Sequence, residues 1–426
     1  MLDIKYIKEN PEQVKKACEL KGFKCDIDKL LELEETVRSS STEIQELQAE
    51  KNSLSSQIKS ASNEERPAII AKSKAAGEKI KELEANIEPL KAEYKDLLLS
   101  VPQIPSATSP VGTSDEDNVE LRVEGTKPEF DFEPLSHIEL CEKNDWADFQ
   151  RVANVCGSRS ILCLKGGLAQ LEFALYTYMQ GKMIENGFTN FNLPAFIKPE
   201  AIFDAGHFPG SDMSVMDNDV FYFSNDDRAL AGTAEIAINS LHKGEILEED
   251  SLPKLYTAYS SCFRREAGAA GKDTRGLVRG NQFNKQEMYV FCKNDPEESQ
   301  KWYKKMLSLF EELVSDMEMP YHILAACTGD MGFNKIEMCD LEAWSPAQQR
   351  YIELGSCSVI HDFQARRTNT RYRTKDGEVK YCHTLNNTCL ATPRFLALFL
   401  ENHQTKDGKV RLPEKIRPFL GGREYL

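Results

Sequence analysis

The chain has 426 residues, more than one hydrophobic core ordinarily organises, so two domains are the natural expectation. Apolar residues make up 41% and charged residues 28%, no stretch approaches the roughly 20 apolar residues of a membrane span, and MLDIKYIKENPEQV lacks the apolar centre of a secretory signal, so the expected location is cytoplasmic. A net charge of −15 argues against nucleic-acid binding by the surface as a whole, and against DNA as a partner, while a local basic face stays open.

Residues 1–27 read as a short helical lead-in, with Pro11 in the first turn after Asn10. From Asp28 onward Leu30, Val37, Ile44, Lys51 and Ile58 recur at heptad spacing, as do Leu33, Ser40, Leu47 and Leu54. Ala76, Ile80, Leu83, Ile87, Leu90, Tyr94 and Leu97 continue in alternating steps of four and three. Turn chemistry at Ser62–Pro67 separates the two runs, which predicts an antiparallel coiled-coil hairpin over about 28–98. Each helix would have about 30 residues and reach on the order of 45–50 Å. Pro89 inside the second helix removes one hydrogen bond and offers a place for a kink. Taken alone, such a charged hairpin reads most simply as a dimerisation coil or a spacer. Val101–Asn118 is rich in Pro, Ser and Thr and reads as a linker. The expected division is therefore a helical arm over 1–100, a linker over 101–120 and a second domain over 121–426.

Beyond Leu121 short β-like runs alternate with amphipathic helices. Strands are expected at Asp219–Ser224, Leu255–Phe263, Gln282–Cys292 and Gln349–Cys357, and helices at Leu168–Asn186, Pro296–Met317 and Pro393–His403. No Gly-rich βαβ fingerprint occurs, so the fold class is α+β, a mainly antiparallel sheet flanked by helices. Gly268–Asp273 is no P-loop: its glycines are wrongly spaced, and Asp273 follows the lysine where Ser or Thr should stand. The twelve cysteines are scattered without a Cys-x-x-Cys pair, which favours reduced, packed thiols over zinc or disulfides.

FRREAGAAGKDTRGLVRGNQFNKQE, Phe263–Glu287, carries the most chemistry. Arg279, Phe283 and Glu287 fall at even separations, so on an extended strand they would share one face and one cavity. Arginine suits forked phosphate contacts, phenylalanine offers a flat face to a base, and a glutamate beside a base accepts from its exocyclic amine. This pattern points to a nucleotide-activating site built on a strand pair.

The segment resembles motif 2 of the class II aminoacyl-tRNA synthetases, in the form found in the seryl-tRNA synthetase family. Leu168–Phe196 is similar to motif 1, a dimer-forming helix followed by a strand and Pro194. Thr233–Ala234–Glu235 matches a family signature, and Thr384–Gln404 is similar to motif 3, a strand leading into a helix with Arg394 at its start. The resemblance covers essentially the whole chain, hairpin included. It implies the class II antiparallel catalytic sheet, a homodimer, ATP with Mg2+, L-serine as the amino acid, and a serine tRNA gripped by the arm. The same activity would extend to a selenocysteine tRNA in a cell that has one.

By the same resemblance Arg264 and Arg394 are the catalytic residues, Arg264 on the α-phosphate and Arg394, with Arg279, on a bent triphosphate. Arg265, Glu266, Phe283, Leu354 and Gly355 complete the ATP site, with Phe283 against the adenine and Glu266 on its amine. Glu353 and Ser356 are the implied magnesium ligands. Thr233, Ala234, Glu235, Glu287, Asn386 and Thr388 are the implied serine-binding residues. His207, in a family loop near the pocket, is expected to be structural. The sequence departs from the usual pattern at Gly355, where serine is usual, at Thr388, also usually serine, at Cys389 and Pro393, usually glycines, and at Gly280–Asn281. Two other readings are a synthetase-like ligase that loads a carrier protein and a catalytically silent RNA-binding paralogue. The intact arm speaks against the first, and retention of Arg264, Glu266, Phe283, Glu353 and Arg394 against the second.

Overall fold

The structure, a computed structural model, describes residues 1–157, 163–216, 219–266 and 276–426. Gly268–Asp273 lies outside the described residues. Two short helices, α1 (Ile4–Glu9) and α2 (Pro11–Leu20), precede a hairpin of α3 (Ile27–Ser60) and α4 (Arg66–Leu99). Asp3 caps α1 by accepting from the Lys5 amide, and Asp26 caps α3 by accepting from the Lys29 amide at 2.9 Å. Each arm helix has 34 residues, slightly more than the pattern suggested, because the capping residues lie outside the last seam positions. Pro89 stands within α4, which runs on to Leu99. The seam residues Ile44, Ile80 and Ile87 pack together, with Val37, Leu47 and Leu83 at their margin. At the base Ile7, Val14, Ile27, Leu30, Leu98 and Val101 form a separate small core.

The segment read as a linker is seated along the second domain. The Gln103 amide donates to Phe333 O at 3.0 Å, the Ser106 amide to Ile336 O at 2.8 Å, and the Thr328 amide to Pro110 O at 2.9 Å. A Pro-, Ser- and Thr-rich sequence cannot form a ladder of its own, but its free backbone groups pair with a neighbour that offers partners.

The second domain is built on eight strands: β1 (Val119–Glu124), β2 (Thr189–Asn192), β3 (Lys254–Phe263), β4 (Gln282–Cys292), β5 (Tyr321–Ala325), β6 (Glu337–Ser345), β7 (Arg350–His361) and β8 (His383–Thr392). Their order across the sheet is β1-β5-β6-β7-β8-β4-β3-β2, antiparallel throughout except for the parallel pair β2–β3. The main helices are α5 (Gly166–Glu185), α6 (Ala234–Ser240), α7 (Pro296–Asp316), α8 (Phe363–Thr368) and α9 (Arg394–His403). Met306, Phe310 and Leu313 of α7 and Phe395 and Phe399 of α9 bury one face of the sheet against Leu341, Val359 and Leu385. On the other face Ala234, Ile238 and Ala365 pack on Tyr289 and Phe291.

The expected strand at Asp219–Ser224 shrinks to Tyr222–Phe223, in a small sheet with Phe196–Ile197 and Arg228–Leu230. Both its aromatic side chains are exposed, and Asp227, at φ +50°, turns the chain back directly after it. β7 runs four residues beyond the expected Cys357, since Val359 and Ile360 still have a core to enter.

Two irregularities matter for the site. The β6–β7 register slips so that Leu341 faces Gly355 but Glu342 faces Glu353, leaving Leu354 unmatched. In β8, Thr388 faces Glu287 and Leu390 faces Gln286, leaving Cys389 unmatched. An extra residue in one strand of a pair re-aims the side chains around it.

Candidate active site

Phe283, Lys285 and Glu287 alternate along β4 and share the face that opens on a cavity of about 260 Å³. Arg279 lies ahead of the strand, which begins at Gln282, so strand parity does not place it; the chain folds it to the cavity even so. The bulges explain two further runs. Glu353, Leu354, Gly355 and Ser356 all line the cavity, which a regular strand could not achieve, and in β8 the lining passes from the alternate residues Asn386 and Thr388 before the bulge to the consecutive Ala391 and Thr392 after it.

The nucleotide half of the cavity holds three arginines and one aromatic ring. The Arg264 guanidinium lies 5.3 Å from the centre of the Phe283 ring. The Arg264 amide donates to Asn281 O at 2.9 Å, and Asn281 Nδ2 donates back to the carbonyls of Arg264 and Arg265, which closes this end of the strand pair. Arg279 Nε meets Glu266 Oε2 at 3.2 Å. Arg394 opens α9, where its Nε donates to Val278 O at 3.2 Å and Nη1 to Glu353 Oε2 at 2.9 Å. The positive end of α9 adds to its charge.

The other half is a buried charge cluster. Thr233 caps α6, its hydroxyl accepting from the Glu235 amide at 3.3 Å, and so turns Glu235 inward. Glu235 Oε1 accepts from Gln364 Nε2 at 2.7 Å, and Oε2 lies 3.4 Å from His207 Nε2. Burial would raise this carboxyl, but Lys335, His207 and Lys285 outweigh it and hold Glu235 well below the usual carboxylate range. The Lys285 ammonium abuts Glu287, whose carboxyl is nonetheless pushed up, by burial first and by Glu235 as well. Lys335 Nζ donates to Asn386 Oδ1 at 3.1 Å. Two acids and two lysines make a cluster without net charge, suited to a zwitterion.

Most of the expected residues therefore meet in one cavity: Arg264, Glu266, Arg279, Phe283, Glu353, Leu354, Gly355, Ser356 and Arg394 with Thr233, Glu235, Glu287, Asn386 and Thr388. Arg265 stands apart from them. It is not in the lining, its amide donates to Asp219 O, and its guanidinium stands 6.0 Å from the Phe221 ring, because successive residues of an extended chain point opposite ways. Ala234, the first residue of α6, is buried and is not in the lining either. His207, expected to be structural, does line it. Lys285 and Lys335 were missed. Lys285 shares the parity of Phe283 and Glu287 and was legible from it; Lys335 lies in a loop with no local signal.

Glu353 and Ser356 offer the cavity a carboxylate and a hydroxyl, the oxygen donors that a hard cation takes. Near them Asp340 is buried, and its carboxyl is held well up, by burial first and by Glu353 next. No group of three or more His, Cys, Asp or Glu that could hold a metal occurs among the described residues. That donor set fits a magnesium ion that arrives with phosphates and water as its remaining ligands.

Residues 1–105 match the seryl-tRNA synthetase N-terminal domain, and residues 221–403 match the tRNA synthetase class II core domain (G, H, P, S and T). The serine–tRNA ligase of Deinococcus radiodurans is 46% identical over 426 residues, covering 100% of this chain and 99% of that protein. Seryl-tRNA synthetase from Pyrococcus horikoshii, solved with ATP, superposes with a TM-score of 0.90 at 34% identity, covering 100% of this chain and 99% of that one. The cytoplasmic serine–tRNA ligase of Naegleria fowleri, solved with AMP, gives 0.85 at 26% identity over 100% and 98% of the two chains.

Proposed function

The chain belongs to the seryl-tRNA synthetase family, and on that premise we propose that the cavity of Glu235, Arg264, Phe283 and Arg394 is where this serine–tRNA ligase activates L-serine with ATP. The reaction brings a carboxylate up to a phosphate. The site must suppress that repulsion and stabilise charge gathering on the phosphorus oxygens. Arg264 serves the α-phosphate, and Arg279 and Arg394 hold the rest of the triphosphate. Phe283 stacks on adenine, and Glu266 accepts from its amine. Glu353 and Ser356 would hold Mg2+, which would supply positive charge against the phosphates. Glu235, Glu287, Thr233, Asn386 and Thr388, with Lys285 and Lys335, receive the serine zwitterion and its hydroxyl. The serine carboxylate is itself the nucleophile, so activation needs no general base. In the second step the terminal ribose hydroxyl of tRNA attacks the seryl-adenylate, and its proton passes to a phosphate oxygen.

The arm of residues 1–100 carries the tRNA, and 121–426 is the catalytic domain. The homodimer fits the exposed Phe173 and Ile184 on α5 and the exposed Val119, Leu121 and Val123 on β1. No helix among the described residues is long and apolar enough to cross a membrane, which is consistent with work in the cytoplasm. A selenocysteine tRNA, where present, would be charged with serine by the same chemistry. The observation that carries this reading is the convergence of three arginines, one aromatic face and a neutral four-charge cluster on one cavity. Pyrophosphate exchange measured with each of the twenty amino acids tests it: serine should drive exchange, and failure of serine, or a stronger response to another amino acid, would sink the proposal.

A further inference from the structure

Gly355 stands within β7, and its backbone does not adopt a positive φ, so conformation gives no reason for a glycine there. The reason is proximity. A Cβ on Gly355 would lie 2.5 Å from Cβ of Thr388, 2.7 Å from its methyl carbon and 3.1 Å from its hydroxyl oxygen. Thr388, on the neighbouring β8, already fills the space a side chain would need. Its methyl is nearer to the glycine than its hydroxyl is. Across the sheet Thr388 faces Glu287, both line the cavity, and the Thr388 hydroxyl has no hydrogen-bond partner among the described residues.

We propose that Gly355 and Thr388 form one volume-matched pair: the methyl packs against the glycine, and this fixes the Thr388 hydroxyl for the amino-acid substrate. Gly355 is a positioning residue, and Thr388 is the group that touches serine. A threonine side chain is stiff about its first torsion, and a methyl seated against a neighbour leaves it one well. A serine at 388 would carry the same hydroxyl as a free rotor with three wells. The proposal rests on the reading of the cavity as the serine site.

The test is a double-mutant cycle on Gly355→Ala and Thr388→Ser, read by serine-dependent pyrophosphate exchange. G355A adds a methyl where none fits, and should raise KM for serine at least about tenfold, more than it raises KM for ATP. T388S frees the rotor and should raise the serine KM by about threefold. The double variant removes the 2.7 Å methyl contact but keeps the 2.5 Å contact with the Cβ of residue 388, so it should recover part of the loss and bring the serine KM below that of G355A alone, a non-additive cycle. Melting temperatures are read in parallel, so if G355A fails to fold, recovery of folding in the double variant supports the pair. A wild-type serine KM in G355A overturns the proposal, as does a double variant no better than G355A in KM or melting temperature. Failure of the underlying reading looks different: the unmodified protein would then show no serine-driven exchange, which removes the premise and this proposal with it.

Discussion

Arg264 has one side chain and two neighbours to serve. Its guanidinium lies 5.3 Å from the centre of the Phe283 ring, the distance of a cation facing an aromatic surface. A base stacked on that ring would bring its own phosphates within reach of the same group. Loss of a charge partner matched to a transition state typically costs on the order of 10²-fold or more in rate. Arg264→Ala is therefore expected to lower serine-dependent pyrophosphate exchange by at least that factor; a near-normal rate would remove Arg264 from the α-phosphate. Its place in the cavity was legible in the sequence because charge and a strand end are both local signals. Nothing in the sequence signalled that Arg265 would lie beside Phe221, and its pattern credited Arg279 to a strand that starts three residues later. Lys335 was invisible because what makes it part of the site is a 3.1 Å bond to Asn386, fifty-one positions away.

Helix α8 is the element that ties the arm to the cavity. The Met1 ammonium donates to Phe363 O, Arg366 pairs with Asp3, and Arg367 donates to Leu99 O at 2.7 Å and Phe203 O at 2.6 Å. One turn away Gln364 holds Glu235, while its own oxygen accepts from Tyr289 and Thr384. Removing the whole hairpin would therefore also remove Leu30 and Leu98 from the core at its base. The cleaner cut replaces residues 45–79 with a short Gly-Ser turn, since Ile44 and Ile80 already pack together. That variant is expected to keep serine-dependent exchange and to lose tRNA charging. Equal loss of both activities would make the distal arm a structural support, not a tRNA-binding one.

For the molecule as a whole, two properties follow from what is buried and what is not. Phe173 and Ile184 are exposed on a helix whose other side enters the main core. Sedimentation should report a dimer, and Phe173→Asp with Ile184→Asp should shift it toward monomer; a monomeric unmodified chain would refute the homodimer. The second property is acid sensitivity. Burial holds the His383 imidazole down at about 3, helped by its stacked neighbour His361, and burial holds His403 down at about 4. Both values lie below the ordinary range of about 6.5 in an unfolded chain, so the unfolded state binds more protons as pH falls. Their contribution to stability is complete above that range, begins to fall as pH drops through it, and is lost progressively down to the folded values of about 3 and about 4. His322 works the other way, since Glu342 and Glu120 outweigh its burial and raise it. Urea midpoints should fall between pH 7.5 and pH 5, and by less in His383→Gln; equal midpoints would contradict this account.

The heptad spacing of the arm, the strands Leu255–Phe263 and Gln282–Cys292, and the ordered motifs were legible because periodicity and charge are properties of neighbouring residues. A helix or strand repeats its pattern every few positions, and that pattern survives in a bare string of letters. The seating of the linker, the strands β1, β5 and β6, and the bulges that turn Glu353 to Ser356 toward one cavity were not legible. They depend on partners far along the chain, where a register slip of one residue reverses which side chains face inward. The fit of Gly355 to Thr388 belongs to that second kind: each residue is unremarkable alone, and their relation exists once two strands lie side by side.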